Sequence, residues 1–260
     1  MSQRKGYVAP EYLRIIGDQL SHIKQRSYAL MQIQSGHKLL DLGCGPGTDT
    51  IPLAQLVGVT GQVIGADYDK AMVAEAEQRA EQADVNTWVS HKRVDAVSLP
   101  FETDYFDSCR SERLFQHLFN PTQALTEMIR VTKPGGWVVV ADTDWSSLST
   151  DSDETDIERR LARFLAESCL HNGYSGRKLY RLFKQQNVSD ISFEVFPVVF
   201  SNYALARHGT QAERVEQEAL KAGVITSDEL HRWQTSLEQA DSEGTYFCSL
   251  NVMLLAGRKN

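Results

Sequence analysis

The chain has 260 residues, 42% hydrophobic and 23% charged, which excludes a disordered chain and fits one α/β domain carrying insertions. With 34 acidic against 27 basic residues the net charge is −7, a field that repels phosphate backbones and speaks against nucleic-acid binding. No apolar run reaches the roughly 20 residues of a bilayer span, and the charged start, Met1–Tyr7, has no apolar core behind it. Cys44, Cys109, Cys169 and Cys248 are scattered, so neither a disulfide framework nor a metal site is expected, and the chain reads as cytoplasmic with no membrane contact.

In chain order, apolar residues at helical spacing from Leu13 to Leu30 predict two helices or one bent helix. Lys38–Leu42 is the first strand, Asp49–Leu56 a helix with Pro52 in its first turn, and Gln62–Asp67 the second strand. Asp69 is placed to cap a helix over Lys70–Gln82. Strands follow at Thr87–Val94 and Phe106–Arg110, then helices at Ser111–Leu118 and Thr122–Val131, a turn at Pro134-Gly135-Gly136, and an apolar strand at Trp137–Asp142. Strands separated by helices predict parallel pairing with helices on both faces. Ser146–Asp156 reads as a polar loop, followed by helices at Thr155–Leu170 and Gly176–Gln186, a strand at Ile191–Phe200, a helix-rich insertion from Ala204 to Ala240, and a last strand at Tyr246–Gly257. The expected division is a single domain: an N-terminal helical segment (1–35), a core (36–145), and a C-terminal part (146–260) with a helical cap near 201–243.

The loop Asp41-Leu42-Gly43-Cys44-Gly45-Pro46-Gly47 carries the chemistry. It follows a strand and precedes a helix, where an open α/β sheet binds ligands. Gly43, Gly45 and Gly47 let a ligand approach the backbone, with the acid Asp41 in front. The G-x-G-x-G spacing differs from the dinucleotide fingerprint G-x-G-x-x-G. Asp67, ending the second strand, can accept two ribose hydroxyls, and Asp95 beside Ala96 can accept an adenine amino hydrogen.

These elements, with Leu99-Pro100-Phe101, Phe106-Asp107 and Arg130–Gly136, resemble the ordered motifs of class I S-adenosylmethionine (SAM)-dependent methyltransferases, over about residues 36–142. The similarity is closest to the branch of ubiquinone/menaquinone methylases and small-molecule methylases. The resemblance implies a Rossmann-like α/β fold with a seven-stranded sheet whose last strand is antiparallel, to which the residue pattern adds N-terminal helices and a helical cap insertion. It implies SAM as cofactor and S-adenosylhomocysteine (SAH) as product. It further implies Gly43 and Gly45 near the methionine moiety, Asp67 on the ribose, Tyr68 and Met72 against adenine, Asp95 and Ala96 on the adenine edge, and Arg110 near the sulfonium. The sequence departs from the quinone-methylase pattern at Arg110-Ser111-Glu112-Arg113-Leu114-Phe115-Gln116-His117-Leu118, whose charge speaks against a quinone acceptor.

Arg113, Gln116 and His117 stand at i, i+3, i+4 and would share a helix face. His117 is the candidate base or substrate contact, and Arg113 the second catalytic candidate. Trp145 is a candidate aromatic wall, Tyr7 and Tyr12 lid residues, Arg26 a ligand for the methionine carboxylate, and Arg177 for a substrate carboxylate. Tyr174, Phe196, Phe200, Tyr203, Trp233 and Tyr246 could shape a pocket for an aromatic acceptor. The expected activity is methyl transfer to a nitrogen, oxygen or carbon atom of a small molecule by in-line displacement. Alternatives are a tRNA or protein methylase, a non-catalytic SAM-binding subunit, and an NAD-dependent oxidoreductase.

Overall fold

The computed structural model describes residues 20–260. Tyr7, Tyr12 and the start of the N-terminal helical expectation lie outside the described residues.

Helix α1 (Ser21–Leu30) precedes β1 (Lys38–Leu42), α2 (Thr50–Val57), β2 (Gln62–Asp67), α3 (Lys70–Gln82), β3 (Val89–Arg93) and β4 (Phe106–Glu112). A three-residue 3₁₀ turn, Phe115–His117, leads to α4 (Pro121–Val131) and the long β5 (Thr132–Thr150). Then come α5 (Thr155–Phe164), which runs into a π-helical turn at Leu165–Cys169, and α6 (Ser175–Lys184). The chain closes with β6 (Val188–Phe200), α7 (Tyr203–Thr210), α8 (Ala212–Lys221), α9 (Ser227–Ser242) and β7 (Cys248–Lys259).

The seven strands form one sheet in the order β3-β2-β1-β4-β5-β7-β6. β1 to β5 pair in parallel, and β7 lies antiparallel to both neighbours. Alternate residues of the central strands feed two cores. Leu39 and Val63 join one with α1 and α2, and Leu40, Leu42 and Ile64 join the other with α4 and α6. Because β7 returns between β5 and β6, helices α7 to α9 are an insertion between β6 and β7.

Several boundaries follow from local chemistry. Asp69 accepts from the backbone N–H groups of Ala71 and Met72, and so starts α3 where a carboxylate can satisfy unpaired donors. Thr226 and Glu229 form a reciprocal capping box on α9. Asn120 accepts from Gln123 N, with Pro121 in the first turn of α4.

The structure corrects three expectations. No helix covers Ser111–Leu118, because β4 continues to Glu112 and the chain then turns through Arg113 at φ 53°. Ser146–Asp156 is not wholly a loop: after an irregularity past Asp144, Ser149 and Thr150 pair with Ser249 and Cys248 of β7. Pro134-Gly135-Gly136 is a bulge within β5 rather than a turn before it. Phe106 pairs with Thr132 and Ser108 with Trp137, leaving Asp107 opposite residues 133–136. Asp107 fastens this bulge by accepting from Lys133 Nζ and from the backbone N–H of Lys38.

A Cβ at Gly136 would lie 2.5 Å from the Asp107 carbonyl oxygen and 2.9 Å from that of Lys133. Gly136→Ala should therefore lower unfolding free energy by about 1–3 kcal/mol in a urea titration, since the obstructing atoms are backbone. An unchanged midpoint would show that the bulge can relax.

Candidate functional site

Arg110, in the middle of β4, is only 1% exposed. An isolated guanidinium could not be buried there, and three carboxylates surround it. Its Nη1 donates to Asp41 Oδ1 at 3.1 Å and lies 3.1 Å from Asp49 Oδ2, while Nη2 donates to Glu112 Oε2 at 2.8 Å. Lys24 of α1 adds a second cation, 2.7 Å from Asp49 and 2.9 Å from Glu112. The Tyr28 hydroxyl also donates to Asp49. Burial raises the Asp49 carboxyl pKa, but Arg110 and Lys24 outweigh it and hold the group below its ordinary range. At Asp41 burial prevails over Arg110, and the pKa is pushed up to about 7. Asp41 Oδ2, buried, makes no hydrogen bond among the described residues.

The glycine loop turns directly over this cluster. The N–H groups of Gly43 and Cys44 both donate to the Ala66 carbonyl at the end of β2. All three glycines adopt positive φ: 78°, 52° and 75° for Gly43, Gly45 and Gly47. Two of them clear space for protein. A Cβ on Gly43 would meet Leu114 Cβ at 2.9 Å, and one on Gly47 would meet Ala76 of α3 at 3.0 Å. Gly47 is buried in that contact, which corrects its expected place against the ligand. Asp67 accepts from Gly45 N at 3.0 Å and from Asp69 N at 2.8 Å. A carboxylate has about four acceptor positions, so it retains capacity for two hydroxyls. Burial raises the pKa of Asp67, partly offset by these two donors.

A cavity of about 820 Å³ opens at the carboxyl ends of β1, β2, β3 and β4, where the strand order reverses. At one end it is walled by Asp41, Gly43, Gly45, Asp67, Tyr68, Met72, Asp95 and Ala96. Its other end is walled by Arg113, His117, Phe119, Trp145 and His171, with Thr210, Gln211 and Arg214 arriving from the α7–α8 corner. The orphaned Asp41 oxygen and the spare acceptor capacity of Asp67 fit the ammonium and ribose of SAM.

Trp145, Gln116 and His117 form a chain whose polarity is fixed. Indole N–H can only donate, so Gln116 must present Oε1 to Trp145. The Gln116 amide nitrogen then faces the Arg113 carbonyl and His117 Nε2, each at 3.1 Å. That nitrogen can only donate, so His117 Nε2 accepts and the ring proton sits on Nδ1. Burial lowers the His117 pKa to about 4, helped by the charges of Arg113, His171 and Arg214. Gln116 is itself held by its backbone N–H, which donates to Asp142 Oδ2 at 3.2 Å.

Eleven expected residues thus meet around one cavity: Asp41, Gly43, Gly45, Asp67, Tyr68, Met72, Asp95, Ala96, Arg113, His117 and Trp145. Arg110 does not reach it, because the three carboxylates hold its side chain inside the sheet. Arg26 is an exposed partner of Glu194, and Lys24, two residues earlier, reaches the cavity wall instead. Arg177 is tied to Asp144 at 2.7 Å. Tyr203, Trp233 and Tyr246 surround a separate space of about 50 Å³ between the cap, α5 and the ends of β5 and β7, so they do not form the acceptor pocket expected of them. Sequence reading missed Lys24, Asp49, Phe119, His171 and Arg214 as wall residues. Each is a common residue on a helix or loop, with no local signal to mark it.

A family model described as "Methyltransferase domain" matches residues 33–187. An uncharacterized 37.1 kDa protein in transposon TN4556 of Streptomyces fradiae is 30% identical over 255 residues, covering 94% of this chain and 72% of that protein. The demethylmenaquinone methyltransferase of Lactiplantibacillus plantarum is 36% identical over 122 residues, 47% of this chain and 52% of that enzyme. The match thus spans about half the length of that relative. Among solved structures, the YcgJ protein of Bacillus subtilis superposes with a TM-score of 0.63 at 19% identity, covering 94% of this chain and 99% of that one.

Two measurements probe this geometry. Arg110→Met removes the cation from three buried carboxylates and should destabilise the fold by about 3–5 kcal/mol in urea. A near-neutral result would mean that Lys24 alone balances them. The His117 ring proton signals should titrate with a midpoint near pH 4. Because the unfolded ring titrates near 6.5, the unfolded state binds the extra proton first, and stability falls as pH drops from about 6.5 to 4. His117→Gln should remove roughly 3 kcal/mol of that acid sensitivity. A midpoint of 6.5 would contradict the burial of the ring and its cationic setting.

Proposed function

The chain belongs to the methyltransferase-domain family and is a SAM-dependent enzyme; from this footing we propose that it methylates a small-molecule acceptor held between the 113–119 segment and the α7–α8 corner. The observation that carries this reading is the single continuous cavity running from the glycine loop to the cap. Its volume lies in the usual range for ligand pockets, about 300–1,000 Å³. The net charge of −7 does not favour RNA.

We assign the loop end to SAM. Asp67 accepts the ribose hydroxyls, Tyr68 and Met72 flank the adenine, and Asp95 with Ala96 meets its edge. Asp41 and the backbone at Gly43 and Gly45 receive the methionine part. Bound there, SAM supplies a methyl group on a positively charged sulfur, already activated for in-line displacement. What the protein adds is placement and exclusion of water. Trp145 and Phe119 wall the acceptor end, Trp145 being anchored through Gln116.

His117 suits an acceptor contact better than a base. Its Nε2 lone pair is engaged by Gln116, and a pKa near 4 makes it a weak proton acceptor at neutral pH. The ring therefore offers an Nδ1–H donor that orients the acceptor. This arrangement favours nitrogen or carbon nucleophiles that attack the methyl group before any proton is lost, the proton leaving afterwards to solvent. The four buried cysteines form no disulfide, which suits a reducing cytoplasm.

Calorimetry with SAM on wild type and Asp67→Ala tests the cofactor assignment. The variant should bind more weakly by about 1–3 kcal/mol, the value of a charged hydrogen bond. Equal affinity would take Asp67 out of the site.

A further inference from the structure

The cavity wall is electrically divided. Its acids, Asp41, Asp49, Asp67, Asp69, Asp95 and Glu112, all lie at the loop end. Beyond Glu112 no described wall residue is acidic, whereas Arg113 and Arg214 both stand there, beside the neutral ring of His117. The acidic end suits SAM, which carries net positive charge. A basic end in a chain of net charge −7 has no structural need that the fold reveals.

The two arginines are incompletely satisfied. Arg113 is largely buried, with its side chain 14% exposed, and its Nε makes no hydrogen bond among the described residues. The Glu112 carboxylate lies 3.4 Å from that Nε, but Lys24 and Arg110 already engage both of its oxygens. Arg113 also holds a left-handed backbone, φ 53°, secured by its N–H donating to the Ala141 carbonyl. Non-glycine residues in that region store strain and cluster at functional sites. Arg214 Nε donates to Gln211 Oε1 at 2.9 Å and its Nη1 pairs with Glu218 at 3.1 Å, but the two charged side chains are about one third or more exposed, so solvent weakens that pair. Phe119 packs against His171 with ring centroids 3.8 Å apart and planes tilted by 38°, which gives this end an apolar surface beside the arginines.

We infer that the acceptor carries an oxyanion, a carboxylate or a phosphate, received by Arg113 and Arg214 at the cap end of the cavity. This rests on the reading that an acceptor occupies that end. The anion would be met by the Arg113 and Arg214 guanidinium groups and would offset their mutual repulsion. It would also orient the rest of the acceptor toward the glycine-loop end. His117 and the Phe119 surface would then contact its uncharged body.

The test is calorimetry on SAH-saturated protein with benzoate and phenyl phosphate, against their neutral analogues benzamide and benzyl alcohol, at low and moderate salt. The anionic probes should bind at least about tenfold more tightly than the neutral ones, with the preference falling as salt rises. The stronger of the two anions identifies the group. Arg214→Gln and Arg113→Gln should each erase about fivefold or more of that preference. Arg214 is on the surface of the cap, so its variant remains informative if Arg113→Gln does not fold. Equal binding of charged and neutral probes, or a preference that survives in Arg214→Gln and Arg113→Gln alike, overturns the inference. Wild-type protein that takes up no SAH overturns the methyl-transfer reading, and the inference with it. SAH uptake without anion preference overturns the inference alone.

Discussion

The burial of the Arg110 guanidinium is the constraint on which the rest of the site depends. A charge that deep in a sheet is tolerable only with carboxylates on several sides. The three that surround it come from different elements: Asp41 from β1, Asp49 from the entry to α2, and Glu112 from β4 itself. Satisfying one side chain therefore fixes how β1, β4 and α2 meet. Lys24 extends the same lattice to α1. Asp49 could have capped α2 in the ordinary way, yet its side chain makes no cap bond; it is spent on Lys24, Arg110 and Tyr28. The glycine loop lies across this lattice, so its shape is set by electrostatics beneath it as well as by its own glycines.

A second pattern follows from the first. Arg110 and Lys24 draw acids to the ends of β1 and β4, and β2 adds Asp67, so one half of the cavity is acidic. The chain that leaves β4 must then turn sharply, which places Arg113 and His117 on the far side. The two halves differ in charge because the sheet itself needs carboxylates on one side only. Binding two partners of opposite charge side by side would need no further device than this polarity.

Much of the framework was legible because its signals are local. Lys38–Leu42 and Gln62–Asp67 are short apolar runs closed by punctuating residues, and Lys70–Gln82 starts at an aspartate that does cap it. The 111–118 segment was misread because i, i+3, i+4 spacing is also what a short turn after a strand produces. Only pairing with β5 shows that the strand continues, and only the Ala141 carbonyl explains the left-handed Arg113. Lys24 and Arg26 illustrate another limit. They sit on the same helix with similar neighbours in sequence, yet one is buried among carboxylates and the other pairs with Glu194 near the surface. Nothing local distinguishes them, since the partners lie on distant strands. The cap aromatics differ from expectation for a related reason: the three-helix insertion must be joined to the sheet, and Tyr203, Trp233 and Tyr246 extend the core cluster shared with β5, β7 and α5.

The place of β7 has a consequence for how the molecule assembles. It lies between β5 and β6, joined to Trp137–Thr150 on one side and Val188–Phe200 on the other, although it is made after both. Until it emerges, β5 and β6 each present an open edge, and helices α7 to α9 hang from a strand with no neighbour. Pairings between segments so far apart in sequence are slow to form. Biosynthesis therefore leaves a window in which two unpaired strands must be kept from foreign partners. Glu194, a charged residue within β6, is of the kind that discourages foreign pairing along such a strand.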